Sequence, residues 1–150
     1  MRVYLVIMDE TEEARAALRF ATRRAADTEG AVHILSVVEP QDFTAFGAVG
    51  ATIEQEAHDR AEVLATSAAG NIASEGGRLP TIAVRTGSPS EVIRDYLAES
   101  ADIAALVLGA AREGAPGPLV THFSQNVGAL PCPLIIVPGA LSDEAIDTLS

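Results

Sequence analysis

Two hydrophobic periods take turns along this chain. Residues 3–8 are an apolar run of strand length, after which Ala14, Ala17, Leu18, Ala21 and Ala25 recur at helical spacing and predict a helix over 11–26. Gly30 is expected to stop that helix, and 31–38 reads as a second strand. The stretch 39–50, with Pro40, Gly47 and Gly50, reads as a loop longer than a connection needs, which suits a lid. Its Phe43 and Phe46 are placed either to cover a ligand or partner or to fold back onto the core. A second helix is expected over 52–75, with Ile53, Ala57, Ala61, Leu64, Ala68 and Ile72 on one face and Gly76 and Gly77 ending it.

Residues 80–85 read as a third strand. Ser88, Pro89, Ser90 and Glu91 then give the pattern of a capping box with proline at the first helical position, ahead of Val92, Ile93, Tyr96 and Leu97 as a buried face. The run 103–108 is continuously apolar, as a strand covered on both faces would be. A glycine- and alanine-rich loop over 109–117 leads into a helix expected from Pro118 to about Ala129, and 134–137 is the fifth strand. In the remaining tail, 138–150, Ser142, Asp143 and Glu144 start a turn or two of helix.

Strands alternating with helices of this length imply right-handed crossovers. The expected fold is therefore a single α/β domain over 1–150, a doubly wound five-stranded parallel sheet with helices on both faces. Such sheets bind ligands beyond the carboxyl ends of the strands, where the winding reverses. That singles out Asp9, residues 37–39, and Gly109 onward.

Composition narrows the class. The chain has 150 residues, 48% hydrophobic and 21% charged, which suits one globular core, and no apolar run approaches the roughly 20 residues of a membrane span. Residues 3–8 are too short for the apolar part of a signal peptide, and a single cysteine allows no internal disulfide, so a cytoplasmic protein is expected. Cys132, between Pro131 and Pro133, reads as structural. The net charge of -11 repels phosphate backbones, and neither a nucleic acid nor a membrane is an expected partner. Arg15, Arg19, Arg23 and Arg24 read as a solvated helix face. His33, His58 and His122 stand apart, without metal-ligand spacing.

Several segments taken together carry a resemblance. Residues 6–12 (VIMDETE), 33–38 (HILSVV), 84–93 (VRTGSPSEVI), 103–109 (IAALVLG), 124–127 (SQNV) and 131–138 (PCPLIIVP) resemble the universal stress protein family, and the likeness runs from 3 to about 138. It implies the fold already read and an adenine nucleotide (ATP, ADP or AMP, with or without magnesium) between the first and fourth strands. It also implies a homodimer in which Leu134, Ile135, Ile136 and Val137 pair across a two-fold axis; an apolar edge strand there needs cover in any case. By resemblance Asp9 faces the adenine or ribose end, Val37 the adenine, and Ser124 a phosphate.

In the family's nucleotide-binding members the fourth strand is followed by a glycine, two residues, a glycine, nine residues, and a glycine with serine or threonine. Such glycines let backbone amides approach phosphate oxygens. This chain keeps Gly109 but has Arg112 at the second glycine, a spacer one residue shorter, and Thr121 and His122 at the final pair. Arg112 would then supply charge from another angle, while Gly114 and Gly117 would rebuild the turn. Read from the residues alone, each candidate keeps a plainer role. Asp9 with Glu12 would cap a helix, Val37 would be core, Ser124 would meet solvent or its own backbone, and His122 would be exposed.

Three functions fit these observations. The first is a universal-stress-type regulatory protein that holds an adenine nucleotide and acts through protein association. The second is a dimeric interaction protein of the same fold without nucleotide. The third, a weak nucleotide hydrolase, is disfavoured: only Asp9, Glu113 and His122 stand near the loop, with no Walker lysine pattern, so the chain is not expected to be an enzyme.

Overall fold

The computed structural model describes residues 1–40 and 48–150, with side chains in the second helix from Thr52 onward. Residues 41–47 of the expected lid, with Phe43 and Phe46, lie outside the described residues. Among those described, the chain runs β1 (Val3–Ile7), α1 (Glu12–Asp27), β2 (Ala31–Val38), α2 (Ala48–Ser74), β3 (Thr81–Thr86), α3 (Pro89–Glu99), β4 (Ile103–Ala110), α4 (Pro118–Gln125), β5 (Leu134–Pro138) and α5 (Asp143–Leu149). The strands form one sheet in the order β3, β2, β1, β4, β5, every neighbouring pair parallel. This is the α/β class the alternation of periods predicts.

Each face of the sheet carries its own core. Tyr4, Val6, Ile34 and Val107 pack with the alanines of α1, the later half of α2, and Ile146 of α5. Leu5, Leu35, Leu106 and Leu108 on the other face pack with Ile93, Tyr96 and Leu97 of α3 and Phe123 of α4. Successive residues of β1 and β4 alternate between these two cores, which is why both runs read as continuously apolar. The small face of α1 (Ala14, Ala17, Ala21, Ala25) lets that helix lie close on the sheet. Among the described residues no buried side-chain polar atom lacks a partner, and no helix is long and apolar enough to cross a membrane.

Local chemistry shifts several of the expected boundaries. The second helix begins at Ala48, not Thr52, so Gly50 lies inside it; the surrounding helix absorbs the ~1 kcal/mol that a glycine costs. Ser88 precedes α3 in an extended conformation with Pro89 at its start, but its side chain makes no capping bond. The capping box is not formed, and the fixed φ of proline together with the Val92 amide bonding back to the Ser88 carbonyl (2.9 Å) begins the helix instead. The fourth strand continues to Ala110, because Gly109 and Ala110 pair with Val137 and Pro138. Helix α4 stops at Gln125, where the Asn126 side chain donates to the His122 carbonyl (2.7 Å), and 127–129 is a separate 3₁₀ turn.

The end of α1 is also built differently from expectation. Glu29, not Gly30, takes the left-handed conformation (φ 53°), while Gly30 is needed because a Cβ there would stand 2.3 Å from the Arg2 carbonyl oxygen. The tail is helical, as its Ser142 start predicts: the Ser142 hydroxyl accepts from the Ala145 amide at 3.1 Å, and Ile146 is fully buried against α1. Arg19 and Arg23, expected on a solvated helix face, hold this helix from that face, Arg19 through two 2.8 Å bonds to Asp147 and Arg23 at 3.2 Å.

Candidate functional site

The winding reverses between β1 and β4: α1 and α2 cover one face of the sheet, α3 and α4 the other. The chains leaving the two neighbouring strands therefore diverge, and a cleft of ≈ 850 Å³ opens beyond their carboxyl ends. Its floor is made of strand ends, Ile7 and Met8, Val37, and Leu108 with Gly109. One wall comes from Glu13 and Ala14 of α1 and from Ala57, Arg60, Ala61 and Leu64 of α2. The face of α2 that reads as core from sequence is thus core only in its later half; its earlier half lines the cleft. The opposite wall is Pro89 and Ser90 of α3 with residues 116–120 and His122 of α4.

Asp9 stands at the exit of β1. One carboxylate oxygen accepts from the Thr11 amide (2.9 Å) and the Thr11 hydroxyl, and the Thr11 oxygen in turn accepts from the Ala14 amide at 3.2 Å. The cap of α1 is therefore Thr11, not Asp9 with Glu12. Asp9 orients the capping residue and keeps its second oxygen unbonded among the described residues. Buried Ser36 ties β2 to the same exit by donating to the Met8 carbonyl at 3.1 Å.

Charge is divided across the cleft. Asp9, Glu10, Glu13 and Glu39 stand at the β1, α1 and β2 side. On the other side stands His122 of α4, whose Nε2 accepts at 3.3 Å from the guanidinium of Arg94 on α3, a residue outside the cleft lining. Arginine has no acceptor, so the imidazole accepts through Nε2 and carries its proton on Nδ1. Arg60, Arg94 and His122 have no carboxylate partner among the described residues.

Of the residues singled out from sequence, Asp9, Val37, Gly109, Gly117 and His122 are brought together in this cleft. Arg112 lines a separate groove of ≈ 530 Å³ bordered by α1, α2 and α5. Gly114, Thr121 and Ser124 line neither. The Thr121 amide is spent on the Gly117 carbonyl (3.0 Å), and the Ser124 hydroxyl donates to the Thr121 carbonyl (3.2 Å), the plainer role open to a helical serine. Gly109 sits against α1, where a Cβ would stand 1.9 Å from the Glu13 carbonyl oxygen, so close helix packing alone demands glycine there.

Sequence reading missed Arg60, which lines the cleft, and the contact that Arg94 makes with His122 from outside it. Arg60 was within reach, since 57, 60, 61 and 64 share a helical face; Arg94 was not, because its partner His122 lies 28 residues away on another helix. His58, Asp59 and Glu62 bring their ligand atoms within 4.8 Å of one another on an exposed stretch of α2, a closeness that ordinary spacing of one helical turn produces.

Residues 1–138 match the model of the universal stress protein family. The chain belongs to that family. Its fold is similar to that of the universal stress protein UspA from Lactobacillus plantarum, with a TM-score of 0.77 at 22% identity over 91% of this chain and 97% of that one. It is also similar to a universal stress protein solved in complex with cAMP (TM-score 0.57, 16% identity, 91% and 96% covered). A third is the universal stress protein from Archaeoglobus fulgidus in complex with dAMP (TM-score 0.55, 19% identity, 91% and 97% covered). No curated protein matches the chain.

Proposed function

We propose that this universal stress protein holds an adenine nucleotide between β1 and β4 and acts through association with other proteins. The observation that carries the reading is the ≈ 850 Å³ cleft at the reversal of winding, apolar along its floor and bordered by the start of α4. Ile7, Val37 and Leu108 offer a surface for a base, and the second oxygen of Asp9 is placed to accept from a ribose hydroxyl. Pro118 has no N–H and Thr121 is the first amide of α4 to bond back, so the Leu119 and Val120 amides have no intrahelical acceptor and point their partial positive charge toward an anion. The complexes of two fold relatives with cAMP and dAMP support the choice of an adenine nucleotide.

The same reading includes a homodimer paired through β5, an edge strand whose Ile136 is 40% exposed. It does not include hydrolysis: the chain has no lysine to meet a terminal phosphate. The interaction protein without nucleotide is favoured by one observation, that Arg112, Gly114, Thr121 and Ser124 do not line the cleft. Calorimetric titration with ATP, ADP and AMP, with and without magnesium, separates the two readings. Heat with a dissociation constant in the micromolar range supports the first; no heat and no nucleotide carried through purification leaves the second.

A further inference from the structure

Arg112 stands at a motif position in sequence, yet it lines the groove bordered by α1, α2 and α5 and not the cleft. Resting on the protein association named above, we propose that this groove is the surface through which the protein associates, and that it receives an acidic amphipathic helix of a partner, laid beside α5.

The chain itself shows what this surface accepts. Helix α5 is seated on α1 with Ile146 fully buried and Asp147 bonded to Arg19, twice at 2.8 Å, and to Arg23 at 3.2 Å. Asp143, one turn earlier on the same face, stands 3.7 Å from Arg19. An aliphatic side chain flanked by carboxylates one turn apart is thus a pattern that α1 already holds. The family model matches residues 1–138, so α5 and the groove edge it forms are outside what that model describes.

Beside α5 the groove stays open, with a volume of ≈ 530 Å³. Leu18, Leu64 and Leu141 line it and are only partly buried, which leaves aliphatic surface to be covered. Arg15 and Arg112 line it too, and neither pairs with a carboxylate among the described residues. The Arg112 backbone and the first turn of α1 meet at Gly139, where an added Cβ would stand 3.5 Å from the Arg112 nitrogen and 3.1 Å from the Glu13 Cβ. Acids border the groove as well, but Asp143 and Glu75 act on Arg19, which leaves Glu12 facing two guanidiniums. A partner helix can therefore repeat the arrangement of α5, with its aliphatic residue on the leucines and its carboxylates on Arg15 and Arg112. Met8 and Leu64 line both the groove and the nucleotide cleft, so the occupant rests on a wall that the cleft shares.

The test adds a synthetic peptide of residues 141–150, with blocked ends, to the ¹⁵N-labelled full chain and follows the backbone amide shifts. Saturable binding below millimolar peptide is expected, with shifts at Arg15 to Thr22, Leu64 to Ile72 and Arg112. Arg15→Met combined with Arg112→Met should weaken it at least about fivefold, and Arg24→Met, outside the groove, should leave it unchanged. A peptide carrying Asp143→Asn, Glu144→Gln and Asp147→Asn should bind weaker by a similar factor, about fivefold. Binding that survives the double variant, or that the uncharged peptide reproduces, overturns the acidic partner. Shifts centred on Asp143 to Leu149 with none at Arg112 mean that the peptide displaces α5, and overturn a partner laid beside it. No saturable binding overturns the surface altogether. None of these results depends on nucleotide, so the nucleotide reading stands or falls separately on its own titration.

Discussion

The Gly109 Cα of β4 lies so near the backbone of Glu13 on α1 that a methyl group added to it would stand 1.9 Å from the Glu13 carbonyl oxygen and 2.4 Å from its carbon. This contact sets how closely the first helix approaches the sheet beside the cleft. A backbone carbonyl cannot step aside as a side chain can, so Gly109→Ala must push α1 outward. The expected loss of stability is about 1–3 kcal/mol, read from the midpoint of chemical denaturation. A variant as stable as the unaltered protein would show that the contact is not close in solution.

The clasp between α1 and α5 responds to acid. The hydrogen bond from Arg19 holds the Asp147 carboxyl below its ordinary range, and the same bond raises Arg19. A carboxyl whose folded value is depressed contributes stability that is present above its unfolded value, ~3.9, and lost as pH falls through the folded one. Asp147→Asn should therefore weaken the protein at neutral pH and differ progressively less from the parent as pH falls below 4. Denaturation midpoints measured across that range check it; a constant difference down to the lowest pH would contradict it.

Cys132 should be slow to react. Burial pushes its thiol up, outweighing the lowering by the Leu106 amide, so less thiolate is present at neutral pH. Alkylation by iodoacetamide at pH 7.5, followed by mass spectrometry, should proceed several-fold more slowly in the folded protein than in urea. Equal rates would place the sulfur in a more open setting than the half-buried one described.

The proposed dimer has a direct mutational test. Ile136, 40% exposed on the edge strand β5, is the residue whose replacement by glutamate would place a charge in a paired edge while disturbing the monomer least. Light scattering should give twice the 15.6 kDa chain mass for the parent at micromolar concentration and the single mass for Ile136→Glu. A parent that scatters as one chain at all concentrations removes the dimer from the account.

Much of the fold was legible because its signals are local. Apolar runs, alanine spacing, Pro89 and Ser142 each mark an element through its own neighbours. What sequence could not supply were contacts made at a distance. Arg19 and Arg23 look like a solvated face until α5 returns to meet them, 128 residues later for Arg19 and Asp147. Gly109 resembles a phosphate glycine in sequence, and only the approach of α1 reveals the packing that requires it. Arg112 stands at a motif position, yet it lines the opposite groove, while Arg94, outside any motif, reaches His122 across two helices.

The most direct test of the nucleotide cleft is the map of backbone amide shifts in a ¹⁵N-labelled sample titrated with AMP. The account predicts saturable shifts confined to the ends of β1, β2 and β4 and the start of α4: Met8 to Thr11, Val37 to Glu39, Gly109, and Leu119 to His122. Saturable shifts centred on the Arg112 groove, or none at millimolar AMP, would contradict it.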